Sequence, residues 1–516
     1  MSWLLTLPLL VPVVTAILCY FFRRSRLGAW ISVLGSGVGL IAALALFAQI
    51  RTLGVAATQI GGWPAPFGIT LVADLLSAGL ALVTAFLGLC VAIYALAEID
   101  PDLEELGYHS LYQVLIFGVT GAFLTGDLFN LYVWFEVMLI ASFGLLILGG
   151  RPEQIDGAVK YVTLNLISTT LFLAGIGLLY ALTGTLNMAD LRAAVAASDR
   201  PAAIEAVAMF FLVAFGVKAA VFPVFSWLPA SYHTPAHTVS AIFAALLTKV
   251  GVYSLFRTFT LIFPGFGGFT ETVLLWVAGL TMIVGALGAL AQTEARRVLS
   301  FQIVSSIGFL LLGLGLNSPL AMAGAILYLI HNMLVKANLF LCAGVIERLA
   351  GSTKLARAGG LYNHAPLFSA LFLIAAFSLG GFPPLSGFWG KFLLVKAGMD
   401  LQAWVITTTV LIAGLLTIFS MMRLWAMMFW TPHPDGTEPG WGDTPEKRAP
   451  MLIPIAVLGA ASLVIGLVPG PFIAFSQEAA EQLLSPTAYI AEVLPPDPAE
   501  ISADAPGHDD PREAVE

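Results

Sequence analysis

The chain has 516 residues, 59% of them hydrophobic and only 10% charged, and its mean hydropathy is +0.92. That balance excludes a soluble globular domain and leaves an integral membrane protein with short loops. The formal charge of −8 carries no message about a nucleic-acid partner: residues 494–516 hold seven acids against Arg512, a sum of −6, which leaves −2 for everything else.

A helix needs about 20 apolar residues to cross the hydrocarbon core. The hydropathy pattern predicts an all-α protein with about fourteen spans, near residues 2–22, 28–50, 68–97, 108–126, 128–149, 158–182, 203–229, 235–260, 271–292, 298–316, 318–348, 366–397, 403–430 and 449–473. Spanning strands are excluded by the lack of short alternating segments. The first span is not a signal peptide, because its apolar run is too long and its basic residues, Arg23, Arg24 and Arg26, follow it. Residues 484–516, rich in Pro, Ala and acids, read as a solvated, disordered tail. Lys and Arg cluster in alternate loops, at Arg23–Arg26, Arg151, Arg296–Arg297, Arg348–Arg357 and Lys447–Arg448. Cytoplasmic loops keep positive charge, so both termini are expected outside the cytoplasm.

Two spans are interrupted. Phe222-Pro223 and Trp227-Leu228-Pro229 follow Lys218, and Gly380-Gly381-Phe382-Pro383-Pro384-Leu385-Ser386-Gly387 precedes Lys391 by one turn. Pro223, Pro383 and Pro384 remove backbone donors and open the helix inside the membrane. Broken helices at matching points of two halves point to a transporter built on inverted repeats. We therefore expect three N-terminal helices (1–107), two inverted five-helix repeats containing the breaks (108–260 and 271–430), and a loop with the last span (431–483).

Ionisable groups deep in these spans are costly and are read as functional. Four of the eight lysines, Lys218, Lys249, Lys336 and Lys391, lie there, against one deep acid, Glu136. Lys218 is the expected partner of Glu136. Lys249 lies fourteen residues past Pro235, roughly 21 Å at the helical rise, which puts it near the middle. Static pairing fails numerically, and snorkelling suits only Arg257, Arg423 and Lys396, near span ends. The remaining reading is a proton-transfer chain that needs no cofactor. His331 and Lys336 are five residues apart, out of phase, and face one path only if their helix is kinked; His331 is either a relay or a satisfied core histidine. Asp74 is either a proton-access group or an ordinary interfacial acid. His233 and His237 have i, i+4 spacing but no third ligand, and Cys19, Cys90 and Cys342 are isolated, so no metal centre is expected.

Thr125-Gly126-Asp127-Leu128-Phe129-Asn130-Leu131-Tyr132-Val133-Trp134-Phe135-Glu136 and Thr183-Gly184-Thr185-Leu186-Asn187-Met188 resemble the D-type subunits of the multisubunit Mrp-type sodium/proton antiporters. So do Leu247-Thr248-Lys249-Val250-Gly251, His331-Asn332-Met333-Leu334-Val335-Lys336 and Gly381-Phe382-Pro383-Pro384-Leu385-Ser386-Gly387-Phe388-Trp389-Gly390-Lys391. The resemblance implies a subunit of a prokaryotic cell membrane, working with a large A-type subunit and small membrane subunits, without a redox or hydrolytic site of its own. It also implies that Glu136 and Lys218 are a coupled pair, Lys249 the central relay, His331 and Lys336 further relays, and Lys391 the terminal group. The wider family includes proton-pumping membrane subunits of complex I-like NADH:quinone oxidoreductases, which is the alternative assignment. Because sodium prefers oxygen ligands and this path is rich in amines, protons are expected here and sodium elsewhere in the complex.

Overall fold

The computed structural model describes residues 3–264, 267–434, 436, 439–441 and 445–494. Its long helices are α1 Trp3–Phe21, α2 Leu27–Leu53, α3 Leu75–Glu98, α4 Tyr108–Leu124, α5 Leu128–Ile147, α6 Pro152–Thr183 and α7 Pro201–Ala219. The chain continues through α8 His237–Ile262, α9 Gly267–Ala291, α10 Ala295–Gly315, α11 Pro319–Ala350, α12 Pro366–Gly380, α13 Ser386–Asp400 and α14 Trp404–Trp430. It closes with α15 Arg448–Leu467, α16 Pro469–Leu484 and the short α17 Thr487–Val493. Among the described residues, twelve helices are long and apolar enough to cross a membrane. The two other expected spans are filled by α4, of 17 residues, and by the interrupted pair α12 and α13.

Burial separates a centre from a rim. The apolar windows of α8 and α11 are wholly buried and that of α10 nearly so, whereas α1, α2, α6, α9 and α14 bury well under half of theirs. An exposed apolar stripe is what a lipid-facing helix presents, since the hydrocarbon does not penalise it. The buried helices include those that carry Lys249, His331 and Lys336.

Three features depart from the expected layout. The span expected to start at residue 68 starts at Leu75, because Thr70–Ala73 pairs with Ala56–Gln59 in a two-stranded antiparallel hairpin. Asp74 then caps α3: its carboxylate accepts from the Ser77 amide at 2.9 Å and the Ser77 hydroxyl accepts from the Asp74 amide at 2.9 Å. The hairpin is bonded to the glycine-containing motifs, through Gly126 N to Thr70 O at 2.8 Å and Asn187 Nδ2 to Thr70 Oγ1 at 3.0 Å. Those motif residues close one end of the bundle. Lastly, the tail expected from residue 484 is helical over Thr487–Val493, where Tyr489 packs on Arg257 with the guanidinium 5.1 Å from the ring centroid. The rest of the acidic tail, from residue 495, lies outside the described residues.

Candidate functional site: buried amines at two helix breaks

At the first break α7 ends in Ala220, held at φ 62°, and a cis Phe222-Pro223 bond follows. The end of a helix leaves carbonyls without partners. Here Val217 O accepts from both the Ala220 amide and the Trp227 indole, each at 3.0 Å, and Phe222 N donates to Thr281 Oγ1 at 3.0 Å. Gly251 of α8 lets the two helices meet: a Cβ at that position would lie 2.7 Å from Ala219 N. Lys218, 8% exposed, places its ammonium 5.3 Å from the centroid of the Phe135 ring. Its charged neighbour is Glu136 of α5, whose Oε1 is buried and has no hydrogen-bond partner among the described residues. No direct ion pair joins the two. A cavity of about 20 Å³, lined by Phe135, Tyr161, Asn165, Lys218, Trp227 and Leu247, adjoins the amine. It has room for about one water.

Lys249 lies just beyond a π-helical turn, Phe243–Leu247, in α8. A π turn frees a carbonyl from the usual ladder, and Lys249 Nζ donates to Ala244 O. A second π turn, Thr258–Ile262, ends the helix.

Helix α11 is α-helical without interruption from Pro319 to Ala350; His331 and Lys336 leave it in different directions, though Lys391 is a charged neighbour of both. His331 Nδ1 instead meets Ser386 Oγ of α13 at 2.8 Å. Lys336 has no hydrogen-bond partner among the described residues, and its charged neighbours are Lys249 and Lys391. Two buried amides, Gln302 of α10 and Asn332 of α11, are also unpartnered. Sequence reasoning passed over them, although amides inside apolar spans were the available signal.

At the second break α12 ends in Gly381, φ 89°, and a cis Pro383-Pro384 bond follows. Lys391, 9% exposed, returns to the end of α12 and donates to Leu379 O and Gly380 O, both at 3.0 Å. Its ammonium also lies 5.1 Å from the Phe309 centroid.

One expected role is corrected by the geometry, and other residues gain defined partners. Arg257 does not snorkel: it is 2% exposed and pairs with Asp74 Oδ2 at 2.5 Å. Both carboxylate oxygens of Asp74 are thereby engaged, one by Ser77 N and one by Arg257, as in a hydrogen-bonded interfacial acid. Residue spacing carried no sign of this pair, because its members are 183 residues apart. His237 is bracketed by Glu98 at 2.9 Å and Glu347 at 3.0 Å. The two carboxylates face opposite ring nitrogens, with the hydrogen bond on the Glu98 side. His233 bonds Pro229 O at 2.9 Å. Arg423, expected to snorkel, donates to Leu290 O.

Comparison with known proteins decides the family. The family model for the transmembrane part of NADH:quinone oxidoreductase and Mrp antiporter subunits matches residues 125–417. The chain belongs to that family. It is 41% identical over 96% of its length, and 100% of the relative's, to a protein of Alkalihalophilus pseudofirmus named as the D subunit of a Na(+)/H(+) antiporter. It superimposes on a chain of the Mrp complex from Dietzia sp. with a TM-score of 0.88, at 32% identity, covering 96% of this chain and 100% of that one. A chain of respiratory complex I from Thermus thermophilus follows at TM-score 0.80 and 26% identity, with 93% and 99% covered. The matched residues run from Thr125 to Thr417 and so include both breaks, all four buried lysines, Glu136 and His331.

Proposed function

We propose that this chain is the D-type membrane subunit of a multisubunit sodium/proton antiporter in a prokaryotic cell membrane, and that protons cross it along Glu136, Lys218, Lys249, Lys336, His331 and Lys391. One observation carries the reading. All four lysines are at least nine-tenths buried, and among the described residues none has an ion-pair partner within 4.0 Å. A buried ammonium without a counter-ion costs several kcal/mol, so amines kept there without partners are useful as groups that gain and lose protons. Static clamps look different, as Asp74 and Arg257 show.

The subunit works in an assembly with a large A-type subunit and small membrane subunits, and has no redox or hydrolytic step of its own. Its amine-rich path suits protons, and sodium, which prefers oxygen ligands, crosses elsewhere in the assembly. The basic loops support an orientation with both termini outside the cytoplasm. The test uses the assembled complex in vesicles energised by a pH gradient: sodium addition collapses the gradient in the native complex, and Glu136→Ala or Lys218→Ala abolishes the collapse. Intact collapse in either variant would sink the path. The likeness to a complex I chain supports a second reading, a pump subunit of a redox enzyme. Co-purification with iron–sulfur proteins and NADH oxidation would establish it in place of the first.

A further inference from the structure

Helix α15 belongs to neither half of the expected repeat, yet it docks on the second break. A Cβ on Gly466 would lie 2.3 Å from Pro384 O, and Gly466 O accepts from the Trp389 indole at 2.8 Å. One turn earlier, on the same face, Ser462 Oγ meets Ser386 Oγ at 2.7 Å and Ser378 Oγ at 2.9 Å. Ser378 and Ser386 meet at 2.8 Å, which closes a triangle of hydroxyls from α12, α13 and α15. All three serines are almost fully buried. Ser386 is also the partner of His331 Nδ1 at 2.8 Å. Gly387 keeps the corner open, since a Cβ there would meet Ser378 O at 1.9 Å and His331 Nε2 at 2.9 Å.

The triangle and its link to the histidine make four contacts, and three hydroxyls supply three protons. Each hydroxyl gives one hydrogen and accepts up to two. If His331 Nδ1 were an acceptor, one contact would have no hydrogen. If Nδ1 carries a hydrogen and donates to Ser386, every contact has one. The neutral ring then has its lone pair on Nε2, and that buried atom has no hydrogen-bond partner among the described residues. The charged neighbours of the ring are Lys391 and Lys336.

We infer that Ser462, through the Ser378–Ser386–Ser462 triangle, is a positioning residue that holds His331 in the Nδ1–H tautomer and so presents Nε2 as the atom that takes up and returns protons between Lys336 and Lys391. The inference rests on the reading of His331 as part of the path. It makes the last span a working element of the relay.

The test measures sodium-driven collapse of a pH gradient by the assembled complex across a range of pH, for Ser462→Ala, Ser462→Thr, Ser386→Ala, His331→Ala and the Ser462→Ala/His331→Ala pair, with complex abundance measured in each. Ser462→Ala and Ser386→Ala lower the rate by roughly two- to ten-fold, the worth of one hydrogen bond, and move the pH profile. Ser462→Thr keeps the hydroxyl and restores the rate. In the His331→Ala background Ser462→Ala has no further effect. Native rates in Ser462→Ala, or losses that multiply in the double variant, overturn the inference. If Glu136→Ala abolishes transport while Ser462→Ala leaves it native, only the positioning role falls; if Glu136→Ala is itself native, the path falls first.

Discussion

The two breaks are built alike and used differently. Each ends a helix in a residue of positive φ, each continues through a cis proline, and each has one buried lysine beside it. They differ in what satisfies the freed carbonyls. At the first, a backbone amide and an indole take Val217 O, and Lys218 lies beside Glu136 and a cavity of about 20 Å³. At the second, Lys391 itself takes Leu379 O and Gly380 O. A cation at a helix C-terminus is favoured by the helix dipole as well as by the hydrogen bonds. Lys391 is therefore part of the fold as well as of the proposed path, while Lys218 has the Phe135 ring and the Glu136 charge as its neighbours. That contrast shows how one architectural device yields both an anchored amine and a loosely held one.

Substitutions can break or sharpen this contrast. The largest effect is expected from Lys218→Ala: loss of sodium-driven gradient collapse by at least about 100-fold, within the range seen when a group that transfers protons is removed, with native abundance of the complex. Lys391→Ala should lose transport and abundance together, because two carbonyls are left unpartnered. Equal abundance of both variants in detergent-solubilised membranes would erase the distinction.

Next comes the clamp that holds α8 behind the first break. Asp74→Ala leaves Arg257 buried and unpaired and should cost about 3–5 kcal/mol of stability, read as a lower thermal midpoint of the purified complex. Arg257→Met with Asp74→Asn should recover part of it. The glycines that seat a helix on each break follow. Gly251→Ala and Gly466→Ala each force a backbone shift and should cost about 1–3 kcal/mol; a midpoint equal to the native one in either would mean that the contact yields easily. Trp227→Phe removes one of the two donors to Val217 O, the Ala220 amide at 3.0 Å being kept, and should cost about 1 kcal/mol, read as a small drop in the thermal midpoint.

The smallest effect lies away from both breaks and serves as a control. Burial pushes the Glu104 carboxyl up, but His109 at 3.7 Å and the Arg26 guanidinium at 2.6 Å hold it below the usual range. A lowered value stabilises the fold above the ordinary glutamate pKa of about 4.3, and that stabilisation is lost as pH falls through it. Arg26→Ala should lower the thermal midpoint slightly at pH 7 and less at pH 4, without changing transport.

Much was legible in the sequence because the bilayer is a demanding solvent. Hydrophobic runs of about 20 residues have one use in it, so the spans, the two proline breaks and the expense of Lys218, Lys249, Lys336 and Lys391 could be read from residue type and spacing alone. The periodicity of a helix also showed that His331 and Lys336 point apart. What was illegible required partners distant in the chain. Asp74 and Arg257 are separated by 183 residues, and the three serines of the triangle that ends on His331 come from three different helices. The hairpin Ala56–Gln59 with Thr70–Ala73 was hidden because strands of four residues give too little alternation to stand out from an apolar run.

The sequence by itself determined that charge is kept inside the membrane, and at which residues, since no arrangement of these spans removes the cost of burying an amine. Only the tertiary structure decided which amine is anchored, which is loosely held and which acid is a clamp. Those distinctions depend on carbonyls, hydroxyls and guanidinium groups brought within about 3 Å by packing, a range over which electrostatic and hydrogen-bond energies change steeply and about which residue spacing is silent.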